Sequence, residues 1–228
     1  MGPIKKAILS GILATAILFS AARPAWPQAA GEGPSKVDGI QNWAHVTDTL
    51  YRGAQPSSAG YKALQQMGVG IVVDFRDEPR EIASESKDVE ALGMKYISIP
   101  WSGSSKPSTI QVVQFLDLVR ANPQAKIFVH CKRGADRTGV MVAAYRIVVE
   151  HQGVGDAVAE MHQFHYDHFW LPQLERYVES LPQLLSSDPL FAAYATAPAK
   201  KLSSNATAPA VATTAMRPAP VEVPASAR

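Results

Sequence analysis

Five residues separate Cys131 from Arg137 in the run Val129-His130-Cys131-Lys132-Arg133-Gly134-Ala135-Asp136-Arg137-Thr138-Gly139, and Cys131 is the chain's single cysteine. A cysteine that hydrolyses a phosphate ester needs an ionised sulfur, donors for the phosphoryl oxygens, and a rigid backbone that holds both. The run offers all three. Cys131 supplies the nucleophile. The backbone from Lys132 through Arg133, Gly134, Ala135 and Asp136 to Arg137 can turn its N–H groups toward one point and form an anion nest. Arg137 adds a planar fork of donors that grips two phosphoryl oxygens at once, a task a lysine performs poorly. Gly134 removes a side chain where the backbone must curl close to a ligand. Thr138 can donate its hydroxyl to the sulfur as it leaves phosphorus, and His130 can hydrogen-bond the backbone around the nucleophile.

Such a loop works between the end of a strand and the start of a helix, where unpaired backbone donors and the positive end of the helix dipole converge. The flanks fit. Lys126-Ile127-Phe128-Val129 has the character of a buried strand, and residues 140–149 form an apolar run long enough for a helix. Leu50-Tyr51-Arg52 reads as an edge strand, 58–66 as a helix stopped by Gly68, 71–75 as a strand, and 81–92 as a helix ended by Gly93. Residues 95–99 read as a further strand. Ser108 and Gln111 have the spacing of a capping box, opening a helix with Ile110, Val113 and Leu116 on one face. Two more helices are expected, from Asp156 and over 172–184. Alternating strands and helices predict an α/β fold with a mostly parallel central sheet flanked by helices on both faces, and a site at the carboxyl ends of its strands.

The His-Cys-x5-Arg-Thr signature resembles that of the cysteine-dependent protein tyrosine phosphatase superfamily, in its dual-specificity, atypical bacterial branch. The resemblance extends to element order over the whole expected domain and to specific residues only at the loop. It implies hydrolysis of phosphate monoesters through a phosphocysteine, with no cofactor, acting on a phosphorylated protein or a small phosphorylated substrate. A phosphoinositide or inositol phosphate phosphatase, or a catalytically weak phosphoryl-binding module, are the alternatives. Lys132 and Arg133 make the mouth more basic than one phosphate requires, which suits a polyphosphorylated ligand or general anion steering.

One departure from the family concerns the general acid. In the dual-specificity branch an aspartate on a loop about 30 residues before the cysteine protonates the leaving alcohol, but the corresponding stretch, Trp101-Ser102-Gly103-Ser104-Ser105-Lys106-Pro107, holds no carboxylate. Asp136 is the nearest replacement, and a similar aspartate before the arginine occurs in myotubularin and Sac-domain phosphatases. It can equally serve as an ion-pair partner of Arg133 or Arg137. Asp74, Asp77 and Glu78 end another strand and can reach the same rim; Asp117, inside a helix, is a poor candidate. His162, His165 and His168 recur every third residue, yet on a helix that spacing drifts around the axis, and Phe164, Phe169 and Trp170 suggest core packing instead of a metal site.

Lys5-Lys6, an apolar stretch over 7–20 and small residues after it read as a signal peptide over 1–22 with cleavage after Ala22. The expectation is export to the periplasm or secretion, with envelope association if the segment is retained. Residues 23–36 read as a linker, 37–185 as the phosphatase domain, and the Ala/Pro/Thr-rich 186–228 as a disordered tail. A formal net charge of +2 gives no reason to invoke a nucleic acid. A lone cysteine cannot form an intramolecular disulfide, so the fold must rest on its core.

Overall fold

The computed structural model describes residues 33–195; the expected signal peptide, most of the linker, and the tail beyond Ala195 lie outside them. A six-stranded sheet runs in the order β1-β2-β3-β6-β4-β5. The strands are β1 (Ser35–Val37), β2 (Ile40–His45), β3 (Leu50–Ala54), β4 (Val69–Asp74), β5 (Lys95–Ser98) and β6 (Lys126–Cys131). β3, β6, β4 and β5 are parallel, while β1 and β2 extend the β3 side antiparallel. The helices are α1 (Ser58–Gln66), α2 (Pro79–Ala91), α3 (Thr109–Ala121), α4 (Asp136–Val148), α5 (Val154–Gln163), α6 (Pro172–Ser187) and α7 (Ala192–Ala195), with a 3-10 turn at Pro189–Phe191.

Side chains alternate across the central strand, and that alternation divides the molecule. Ile127, Val129 and Cys131 enter the larger core with α3, α4, α5 and α6, whereas Phe128 enters the smaller core with α1 and α2. Ile71 and Val73 of β4 follow the first face and Val72 the second. Helices therefore cover both faces, and Cys131 and His130 leave β6 on opposite sides of the sheet.

Three boundaries differ from expectation, each for a packing reason. β3 is an interior strand, with all five residues buried, because β1 and β2 cover it. The paired strands escape sequence reading since β1 has only three residues and Asn42 interrupts the alternation of β2 with φ +55°. Trp43 of β2 stacks on Tyr51 and Phe128 at centroid distances of 5.3 and 5.6 Å. The capping box at Ser108 and Gln111 forms as expected, but α3 buries Val112, Phe115 and Leu116 and leaves Ile110 exposed. Finally, regular structure is present before residue 37, in β1, and beyond 185, where Phe191 and Tyr194 return to the larger core.

On the α2 side of the sheet lies a buried charged cluster. Arg76 donates through Nε to both carboxylate oxygens of Asp74 at 3.1 Å, through Nη1 to Glu81 at 2.7 Å, and through Nη2 to Glu85 in a short contact. Glu85 Oε1 stands 2.8 Å from His130 Nε2, and Tyr96 donates its hydroxyl to Asp74 at 2.8 Å. Although 2.8 Å apart, the Glu85 and His130 atoms are not aligned as a hydrogen bond, so their attraction is chiefly electrostatic. Burial alone would raise the Asp74 carboxyl; the His130 charge and the Arg76 bonds outweigh it and hold Asp74 below its ordinary range.

Removing one buried member of this cluster leaves the opposite charges on Arg76 and His130 short of a partner. Glu85→Gln should lose about 3–5 kcal/mol of stability in denaturant unfolding; a loss under about 1 kcal/mol contradicts the account. Because the folded Asp74 carboxyl sits below its unfolded value, its contribution is complete above pH ~4 and disappears as pH falls through the depressed folded value. Unfolding free energy measured from neutral pH downward should therefore fall in acid, and Asp74→Asn should flatten that slope.

Candidate active site

β6 ends at Cys131 and α4 begins at Asp136, so residues 132–135 make the whole connection between strand and helix. Five consecutive carbonyls around this loop are engaged on its outer side. His130 Nδ1 lies 3.3 Å from the Cys131 oxygen, Gln55 N–H donates to Lys132 O at 3.3 Å, and Asn42 Nδ2 donates to Arg133 O at 3.2 Å. Arg52 Nη2 donates to Gly134 O at 3.1 Å, and Gly139 N–H to Ala135 O at 2.8 Å. In a planar trans peptide the C=O of one residue and the N–H of the next point in opposite directions. Each tie that draws a carbonyl outward thus turns the following amide inward. Among the described residues, no backbone N–H from 133 to 138 donates to a protein acceptor. Those amides and the start of α4 together have the geometry of an anion cradle.

Cys131 lies at the base of this cradle, only 2% exposed. Gly134 takes φ +69°, and a Cβ there would lie 2.3 Å from the carbonyl of Gly53 and 2.5 Å from Ala54 N, so the loop can nest against β3 only with glycine at this position. Arg52, fully buried, stacks on Phe164 at 3.8 Å from its centroid and meets Glu160 at 3.4 Å. Burial lowers its guanidinium to about 10, with Glu160 and Cys131 opposing that fall, so it remains a cation below the loop at neutral pH.

Arg137 is buried. Its Nη1 donates to Asp77 Oδ1 at 2.7 Å and to Trp101 O at 3.1 Å, with Glu78 4.0 Å from Nη2. The loops after β4 and β5 therefore converge on the guanidinium that the sequence pattern marks as the expected phosphoryl-binding group.

Asp136 sits elsewhere. Its Oδ2 accepts from Arg133 at 2.7 Å and its Oδ1 from the Asp167 amide at 3.0 Å, so both oxygens brace the loop against the turn after α5. The residue expected as the provisional acid has the geometry of the ion-pair alternative, and Asp77 is the carboxylate on Arg137. Asp74 is removed to the cluster behind β6, and Asp117 pairs with Arg120. Lys132 and Arg133 are exposed at the mouth. The Thr138 hydroxyl is buried without a hydrogen-bond partner, so its expected bond to the sulfur is not made here.

The three histidines do not share a helix, because α5 ends at Gln163. His162 faces Glu175 at 3.2 Å and His165 adopts φ +63°. Phe164 is buried as expected, but Phe169 and Trp170 are 74% and 75% exposed and do not pack in the core. Among the described residues, the set with metal-ligand spacing is Asp74, Glu85 and His130, and there Arg76 already supplies the cation. Sequence reading missed Arg52, Asn42 and Glu85. For Arg52 a signal existed: an arginine in an apolar strand next to a glycine needs a buried partner.

Residues 35–176 match the family described as PTP-NADK, DSP-PTPase phosphatase fused to NAD+ kinase. The chain is 31% identical over 156 residues to the dual specificity protein phosphatase TpbA of Pseudomonas aeruginosa, an alignment covering 68% of this chain and 65% of that protein. It thus spans somewhat less than two thirds of that relative's length. A crystal structure of a cysteine-to-serine variant of P. aeruginosa TpbA in complex with pTyr superposes with a TM-score of 0.58 at 25% identity, covering 72% of this chain and 97% of that one. The inositol diphosphatase DSP5 of Arabidopsis thaliana is 26% identical over 113 residues, 47% of this chain and 54% of the relative. Fold, loop geometry and sequence relationship agree: the chain belongs to the DSP-PTPase family, the dual-specificity branch of the cysteine-dependent tyrosine phosphatases.

Proposed function

We propose that this chain is an exported phosphatase that hydrolyses phosphate monoesters on tyrosine-phosphorylated or dual-specificity protein substrates through a phosphocysteine. The observation that carries the reading is the set of inward amides over buried Cys131, closed by Arg137. The pTyr bound in the TpbA complex supports the substrate class. The n-region and apolar run over 1–22 support export, and N-terminal sequencing of the mature protein tests it.

In the first step the Cys131 sulfur bonds to phosphorus as the ester P–O bond breaks, and the departing oxygen takes a proton. The amides of 133–138 and the Arg137 fork hold the equatorial oxygens throughout. Asp77 is the side chain suited to give that proton: once a phosphoryl group displaces it from Arg137, the freed carboxylate takes up a proton from solvent and passes it to the leaving oxygen. In the second step the same carboxylate accepts a proton from water, whose oxygen attacks phosphorus, and the S–P bond breaks to release orthophosphate. Asp136 holds the loop in shape and needs no proton.

Cys131→Ser should abolish hydrolysis of an aryl phosphate; turnover retained in this variant sinks the thiolate mechanism. Asp77→Asn should cost roughly 10²-fold on alkyl phosphates, spare aryl phosphates with good leaving groups, and remove the basic limb of the pH–rate profile. If Asp136→Asn shows that pattern and Asp77→Asn does not, the acid is Asp136. Arg52→Met touches no substrate atom, yet releasing the Gly134 carbonyl should lower kcat roughly 10²-fold with a smaller change in KM; an unchanged kcat contradicts the positioning role.

A further inference from the structure

The phosphate loop has a second accessible side. Arg137, Asp77 and Trp101 stand on its β4 and β5 side, whereas toward β1 and β2 the loop borders a cavity of about 400 Å³. Lys36 of β1, Lys132 and Arg133 of the loop, and His165 of the turn after α5 line it, together with Gln41 and Asn42. No carboxylate contributes to the lining. Arg133 has Asp136 as a partner, but Lys36 and Lys132 form no ion pair among the described residues. Cations collected around a concave, carboxylate-free surface repel one another and lower the free energy of any anion that enters.

The cavity is also built. Asn42 and His165, on different elements, both hold left-handed backbone at φ +55° and +63°. Asn42 Nδ2 bridges Arg133 O and Phe164 O, at 3.2 and 3.1 Å, and so clasps β2, the phosphate loop and the turn carrying His165 into one wall. Non-glycine residues in this region persist where the surroundings enforce them, and they gather at ligand sites.

We infer that this cavity is a subsite for a second phosphoryl group on the substrate whose scissile phosphate lies over Cys131. The inference rests on the phosphatase reading and adds to it a preference for substrates bearing neighbouring phosphoryl groups. Lys36 and His165 determine that preference, and Lys132 and Arg133 are shared between the two sites.

Inorganic tripolyphosphate and orthophosphate, as competitive inhibitors of aryl phosphate hydrolysis, separate the two sites. Lys36→Ala should raise the inhibition constant of tripolyphosphate roughly five- to tenfold, and leave that of orthophosphate and the aryl phosphate kcat/KM within about twofold. Lys62→Ala, which removes the same charge from an exposed position of α1, should change none of these. Equal effects on both anions, no effect of Lys36→Ala, or the same effect from Lys62→Ala overturns the subsite. If the wild-type chain hydrolyses no aryl phosphate, the phosphatase reading fails by itself. Calorimetric binding of tripolyphosphate to wild type and Lys36→Ala then decides the subsite separately. With the subsite established, a peptide bearing phosphotyrosine beside phosphoserine and a polyphosphorylated inositol, each compared in wild type and Lys36→Ala, identify which source of the second phosphoryl group uses it.

Discussion

The site depends on peptide groups held the right way round. A loop of four residues cannot by itself keep its amides pointed at one centre, because their dipoles repel one another. Here Gln55, Asn42 and Arg52 each take one carbonyl of that loop and draw it outward. Planarity of the peptide bond then does the rest. The cost of leaving the donors unpaired is met before a ligand arrives, which is the sense in which such a cradle is preorganised.

The sheet order explains why these donors are at hand. β6 lies between β3 and β4, so a loop leaving its carboxyl end passes over Gly53 and Ala54, and only Gly134 can approach that closely. Arg52 rises from β3 beneath the loop, and β2 carries Asn42 against its outer side. On the opposite face, His130 is fixed by a cluster of Asp74, Arg76 and Glu85 in which charges of both signs are buried together. Two consecutive residues of one strand, His130 and Cys131, are thus supported from two different cores.

The chemistry was legible in the sequence where a residue type has few other uses. Cys131, Gly134 and Arg137 announce themselves by spacing, and the strand and helix on either side by apolar runs. Helix α1 and the capping box of α3 follow equally from local signals. What local signals could not carry is long-range. β1 is too short and β2 too irregular to show a period, and so β3 looked like an edge. The difference between Asp77 and Asp136 is likewise tertiary: both are acidic residues near a basic loop, and only the folding of β4 beside β6 brings the first onto Arg137 while the turn after α5 occupies the second.

The most direct measurement is the backbone amide resonances of residues 133–138 in the Cys131→Ser protein during titration with orthophosphate. The account predicts that these amides shift together downfield in one saturable transition, and that Arg52→Met in the same background removes the coordinated response. Amides that stay unmoved while phosphate binds, or that respond alike with and without Arg52, would contradict it.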